Sequence, residues 1–239
     1  MGERESYAPG TFCWAALGTT DLDAAVAFYT DVFGWEAEDG VFRLDGSDVA
    51  AVHAVEEGPG WASRVSVEDV DALVERAREL GGEVREEPAD VDEAGRLAAV
   101  ADPTGAALEL WQPRERAGAG RVNDVGFMCW NELASPDPGR AREFYGALLG
   151  WEVEPEETGY GVIRRDGAVN GGIRPQQDGE PAHWLVYFTV ASCDDAVEAV
   201  LAGGGTVIAG PLDTPMGQVA VARDPQDAPF ALFEGDVDP

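Results

Sequence analysis

The chain contains no lysine. Its 16 basic residues are all arginine and stand against 46 acidic ones, a formal charge of −30 at pH 7. Such a field repels polyanions, so nucleic acid and anionic membrane surfaces are excluded as partners. Abundant Ala, Gly and Val beside the missing lysine fit a GC-rich genome, with the acidity adding solubility. Histidine is scarce, 2 in 239 residues. Three cysteines make no disulfide framework and are expected as buried thiols in a reducing cytosol. No apolar run approaches the roughly 20 residues that span a bilayer. Met1-Gly2-Glu3-Arg4-Glu5-Ser6 lacks the basic and apolar regions of a secretory signal, so a cytoplasmic protein is expected. Also missing are a Gly-x-Ser-x-Gly elbow, a Gly-Lys-Ser phosphate loop, a Cys-x-x-Cys pair and a dinucleotide fingerprint.

What is present is said twice. Cys13-Trp14, Asp21, Phe28-Tyr29 and Gly34-Trp35-Glu36 reappear as Cys129-Trp130, Asp137, Phe144-Tyr145 and Gly150-Trp151-Glu152. Further on, Trp61 matches Trp184, Val84 matches Val207, Pro88 matches Pro211, and Asp102-Pro103 matches Asp224-Pro225. A repeat of this length is a whole domain rather than a solenoid unit. The expected organisation is a loose leader (1–10), domain one (11–113), a polar, glycine-bearing linker (114–126) and domain two (127–236), with a sizeable core in each copy.

Within each copy the periodicity alternates. Phe12–Leu17 reads as a buried strand. Thr19-Thr20-Asp21 then caps a helix whose Leu22, Ala25, Val26, Tyr29, Val32 and Phe33 share a face and which Gly34 ends. Val41–Leu44 and Val49–Val55 read as strands about the turn Asp45-Gly46-Ser47, and Ser63–Val67 as another. Asp69 caps a second helix, Gly81-Gly82 ends it, and three more strands follow. One short helix cannot cover a sheet, so the two halves of a copy must pair into one curved sheet.

These residues in this order, with Val67-Glu68-Asp69-Val70-Asp71, Leu80-Gly81-Gly82, Gly95-Arg96 and Asp102-Pro103-Thr104-Gly105, resemble the vicinal oxygen chelate superfamily of glyoxalases, bleomycin-resistance proteins and extradiol dioxygenases. More narrowly, Cys-Trp on the first strand and Gly-Trp after the first helix are similar to tandem glyoxalase-like proteins of actinobacteria. The resemblance implies an α+β fold of tandem paired βαβββ modules, each pair forming a sheet cupped around a pocket. Family enzymes hold a divalent metal in that cup through His, Gln or Glu side chains. The implied ligand positions fall on Trp14, Ala51, Ala62 and Glu109 in copy one, and on Trp130, Gly171, Leu185 and Ala231 in copy two. Only Glu109 is a donor, and one carboxylate does not chelate a metal. No metal and no other cofactor is therefore expected.

Aromatic residues stand where the ligands are missing. Trp14, Arg64, Glu109, Trp111, Trp130, Glu132 and Tyr187 are the candidate ligand-binding residues, and Glu109 and His53 are weak catalytic candidates. Indole walls suit a flat apolar ligand. An inward Arg64 would contact an anion or carbonyl, or pair with Glu109. The expected function is metal-free binding or sequestration of a small aromatic or polycyclic molecule, as in bleomycin-type resistance. The alternative is a lyase, isomerase or oxygenase of the same superfamily that uses Glu109, with or without a divalent metal. Internal pairing of the two copies makes a monomer self-sufficient, and a homodimer is the other possibility.

Overall fold

The computed structural model describes residues 2–237. Copy one runs β1 (Phe12–Thr19), α1 (Leu22–Phe33), β2 (Glu36–Glu38), β3 (Val41–Leu44), β4 (Ser47–Ala54), β5 (Gly60–Ser66), α2 (Val70–Glu79), β6 (Glu83–Val91), β7 (Gly95–Ala101) and β8 (Ala107–Pro113). Copy two repeats it: β9 (Met128–Ser135), α3 (Pro138–Leu149), β10 (Glu152–Pro155), β11 (Gly161–Arg165), β12 (Ala168–Pro175), β13 (His183–Thr189), α4 (Cys193–Ala202), β14 (Thr206–Thr214), β15 (Gly217–Arg223) and β16 (Pro229–Gly235). The short, exposed β2 and β10 are the strands that hydrophobic periodicity does not announce.

Each copy folds into one 8-stranded mixed sheet, in the order β2-β3-β4-β1-β5-β8-β7-β6 and its counterpart β10-β11-β12-β9-β13-β16-β15-β14. This is the tandem α+β arrangement of paired modules. The helices start where the sequence provides caps: Asp21 accepts from Ala24 N at 3.0 Å and Asp137 from Arg140 N at 3.0 Å. They stop at Gly34 and Gly150, whose φ of 74° and 71° suits glycine far better than a residue with a Cβ. Residues 2–10 are not loose. Arg4 N donates to Gly120 O and Val122 N to Gly2 O, so the leader pairs with the linker, and the Tyr7 hydroxyl donates to Ala119 O at 2.7 Å.

The expectation of a separate core in each copy gives way to one core that runs through both. The repeated motifs explain it, because they dock reciprocally. Tyr29 of copy one donates to Asp224 Oδ2 of copy two at 3.1 Å and accepts from Trp61 Nε1 at 2.8 Å. Tyr145 of copy two accepts from Trp184 Nε1 at 3.0 Å and faces Asp102 of copy one. Phe144 lies against Gly82, where an added Cβ would come within 2.9 Å of its ring, and Phe28 lies equally close to Gly203. The indoles complete the exchange: Trp35 Nε1 donates to Gly126 O at 2.9 Å and Trp151 Nε1 to Gly10 O at 2.6 Å. Phe188 of copy two packs on Trp35 and Trp61 at ring separations of 5.1 and 5.0 Å. Aromatic pairs of this kind contribute about 0.5–1.5 kcal/mol each beyond their buried area.

Tyr29→Phe removes the donor to a buried carboxylate and the acceptor of a buried indole, so it is expected to destabilise the protein by about 1–3 kcal/mol in urea unfolding at pH 7. Burial raises the Asp224 pKa above its ordinary value of 3.8. The folded state thus holds that proton more tightly than the unfolded chain, and the stability contributed by this group rises as pH falls through its folded pKa. The Tyr29→Phe penalty should shrink over the same interval; an unchanged unfolding midpoint at pH 7 would contradict the latch.

Candidate functional site

The family resemblance places a cup on the face of each sheet away from its helices, and period-two alternation decides which side chains lie on that face. In copy one, Trp14 sits opposite Arg64 on β5, and Arg64 opposite Glu109 on β8, so all three project to the same side, joined by Trp111. Arg64 points inward and is 6% exposed. Its Nε donates to Glu109 Oε2 at 2.5 Å. The guanidinium lies between two indoles, 5.2 Å from the Trp14 ring and 5.5 Å from the Trp111 ring. Arg116, from the linker, closes over the same cup: its guanidinium is 5.5 Å from the Trp14 ring and ion-pairs with Asp48. Cup one thus brings together the candidates Trp14, Arg64, Glu109 and Trp111.

Cup two holds different chemistry on the same frame. Tyr187 occupies the place of Arg64, opposite Trp130, and Ala231 the place of Glu109. Glu132 replaces Ala16 one pair further along and faces Gly172, which makes Gly172, rather than Gly171, the counterpart of Ala51. Glu132 Oε1 accepts from Arg174 Nε at 2.7 Å and from the Tyr187 hydroxyl at 3.1 Å. Arg174 also holds Glu180 through both terminal nitrogens, at 2.7 and 2.6 Å. Burial and the Glu132 charge raise the phenol pKa of Tyr187 and of Tyr160, so both remain protonated donors beside the carboxylate. The Tyr160 hydroxyl fits over Gly172, at whose position a Cβ would lie 2.1 Å from it. Past this polar end, Leu185, Tyr187, Ala231 and Phe233 form an apolar cluster separate from the main core, flanked by Trp130, Val219 and Val221.

His53 stands apart. It is exposed on β4 beside Gly18 and makes no ion pair with Glu109, so it does not join the candidate it was paired with. Its counterpart in copy two is Arg174, which does engage an acid because Glu132 is there; Ala16 offers His53 nothing. His183 Nδ1 donates to Pro181 O, 2.9 Å away. Sequence reasoning missed Arg116, Tyr160, Arg174 and Glu180. The parallel register of β12 with β9 is what brings Arg174 to Glu132, and no local motif encodes it.

The residues do not fit the divalent metal of the fold family. Among the described residues, no three His, Cys, Asp or Glu side chains converge. The one retained donor, Glu109, is already neutralised by the Arg64 guanidinium, whose positive charge opposes a metal ion beside it. Burial pushes the Cys13 and Cys129 thiols up to about 12, which leaves little nucleophilic thiolate at neutral pH.

The concave paired-module sheets define a glyoxalase-type protein. The chain belongs to the glyoxalase/bleomycin resistance protein/dioxygenase superfamily, whose sequence model matches residues 11–110, while a glyoxalase-like domain model matches residues 130–233. It is 39% identical to CFP32 of Mycobacterium tuberculosis, a provisionally named glyoxylase, over 98% of both chains. It is 35% identical to the anthracycline biosynthesis protein DnrV of Streptomyces peucetius, over 95% of this chain and 94% of that one. Among solved structures, the Mn(II)-bound glyoxalase from Novosphingobium aromaticivorans superposes with a TM-score of 0.68 at 20% identity, covering 100% of this chain and 86% of that one. The 2,3-dioxygenase LapB from Pseudomonas sp. KL28 gives 0.66 at 17% identity, covering 96% and 93%. At these identities the two structures share the fold.

Arg174 lowers the Glu180 pKa below its ordinary 4.5. A depressed carboxylate contributes stability above the unfolded value and loses it as pH falls through the folded one. The melting temperature should therefore fall below pH 4.5 less steeply in Glu180→Gln than in the unmodified protein; identical slopes would show that the Arg174–Glu180 pair carries no stability.

Proposed function

We propose that the protein binds a small, flat, largely apolar molecule in cup two, without a metal, and sequesters it. The observation that carries this reading is the apolar cluster of Leu185, Tyr187, Ala231 and Phe233, which stands outside the main core beside Trp130. Trp130, Val219 and Val221 remain partly uncovered beside it. Partly uncovered apolar side chains over a buried apolar floor, with a small polar group at one end, are the usual composition of a ligand site. Trp130 supplies a stacking face, and the Glu132–Tyr187–Arg174 network fixes the polar end. The network carries one positive and two negative charges with Glu180, and the whole chain is strongly acidic, so neutral or cationic ligands are favoured over anions. Anthracycline biosynthesis proteins among the relatives support a polycyclic aromatic as the ligand class.

A catalytic reading has one observation in its favour. Glu109 uses only Oε2 on Arg64, leaving Oε1 without a hydrogen bond and able to take a proton from a substrate. Loss of turnover in Glu109→Gln, with the fold retained, would move the function to cup one.

The cup-two reading is tested by titrating flat polycyclic aromatics while following tryptophan fluorescence and thermal stability. Saturable binding is expected, weakened about tenfold or more by Trp130→Ala, which removes a stacking contact of about 1–3 kcal/mol in ligand complexes of this kind. Unchanged affinity in that variant would remove cup two as the site.

A further inference from the structure

Cup one holds hydrogen-bonding capacity that the protein itself does not use. Trp14 is 3% exposed, yet its Nε1–H has no acceptor. Buried indole donors ordinarily find one. Beside it, Arg64 commits only Nε, to Glu109, and among the described residues no atom accepts from its Nη1 or Nη2. The guanidinium stands 5.2 Å from the Trp14 ring and 5.5 Å from the Trp111 ring. Unpaired N–H donors of Trp14 and Arg64 thus share one cup, with the guanidinium between two indole rings.

We propose that cup one is a binding site separate from cup two, for a neutral planar ligand whose carbonyl oxygen accepts from Arg64 Nη and Trp14 Nε1. Charge selects the neutral form. Arg64 and Glu109 already cancel, so a buried carboxylate would add an uncompensated negative charge. The approach is hostile to anions as well: the open depression of about 440 Å³ at the mouth is lined by Asp48, Asp92, Glu93 and Glu115 against the single cation Arg116. A carbonyl oxygen takes the free donors without changing the charge, and the entering ligand displaces the Arg116 guanidinium that covers Trp14. Arg116 can yield, because its partner is Asp48 and both side chains remain about a quarter exposed, at 27% and 23%. This site does not depend on the cup-two reading, and either can fail alone.

The test uses the full chain and three matched probes: coumarin (neutral, conjugated carbonyl), coumarin-3-carboxylate (its anion) and naphthalene (no acceptor), titrated by calorimetry. Coumarin should bind saturably, with the other two about tenfold weaker or more, the loss expected for one or two hydrogen bonds or a buried charge. Trp14→Phe keeps an aromatic wall but removes Nε1–H, and should weaken coumarin about fivefold to tenfold. Arg116→Ala, a surface change that spares the cup floor, should tighten it. Thermal melts establish that both variants are folded. Equal affinity for coumarin and naphthalene would overturn the proposal, as would no coumarin binding up to its solubility limit. So would coumarin binding that survives Trp14→Phe but is lost in Trp130→Ala, or that weakens in Arg116→Ala.

Discussion

The structure depends on a reciprocal exchange: the Phe-Tyr pair of each copy's first helix docks on the Gly-Gly and Asp-Pro segments of the other copy. Tyr29 reaches Asp224 while Phe28 packs on Gly203; Tyr145 faces Asp102 while Phe144 packs on Gly82. The two halves differ in detail. Tyr29 closes a hydrogen bond of 3.1 Å, whereas Asp102 Oδ2 has no partner of good geometry. The exchange explains why these motifs recur at matched positions, since each serves as both plug and socket. It also leaves the concave faces free of any role in holding the copies together, so the cups can diverge without endangering the fold.

The cups have diverged along a simple line. At the central strand pair, copy one places Arg64 between Trp14 and Trp111 and balances it with Glu109. Copy two places Tyr187 there, turns Glu109 into Ala231, and moves its carboxylate one pair along to Glu132. The first cup is consequently polar at its floor and guarded by Arg116, and the second is apolar at its floor and polar at its end. In the cups, Glu109 is paired with Arg64 and Glu132 with Arg174, as desolvation of charge requires. A cation–carboxylate pair lying where the fold family carries a metal explains how the cup floor remains charged and packed with its chelating donors gone.

The duplication made the fold legible, because caps, glycines and aromatic positions appear twice at constant spacing and each has a local physical meaning. The inward direction of Arg64 was only half legible. Alternation gives its strand two faces, and it is the pairing of Arg64 with both Trp14 and Glu109 that decides between them. Trp14, Trp111, Trp130, Glu132 and Tyr187 could be named from the repeat because copies can be compared position by position. Arg116, Tyr160, Arg174 and Glu180 could not, since they come from the linker and from strand and loop segments whose spacing differs between copies. The expectation for His53 failed for the same reason. Its meaning depends on the residue diagonally across a parallel strand pair, which is Ala16 for His53 and Glu132 for its counterpart Arg174.

We propose that these cups work through aromatic walls and paired charges without a divalent metal. Calorimetric titration of Mn(II), Fe(II) and Zn(II) into the chelator-treated full chain tests it most directly. No saturable binding of any of the three is expected at concentrations on the order of micromolar, with the same result in Glu109→Gln. Saturable uptake of one ion per chain in that range, abolished by Glu109→Gln, would contradict it.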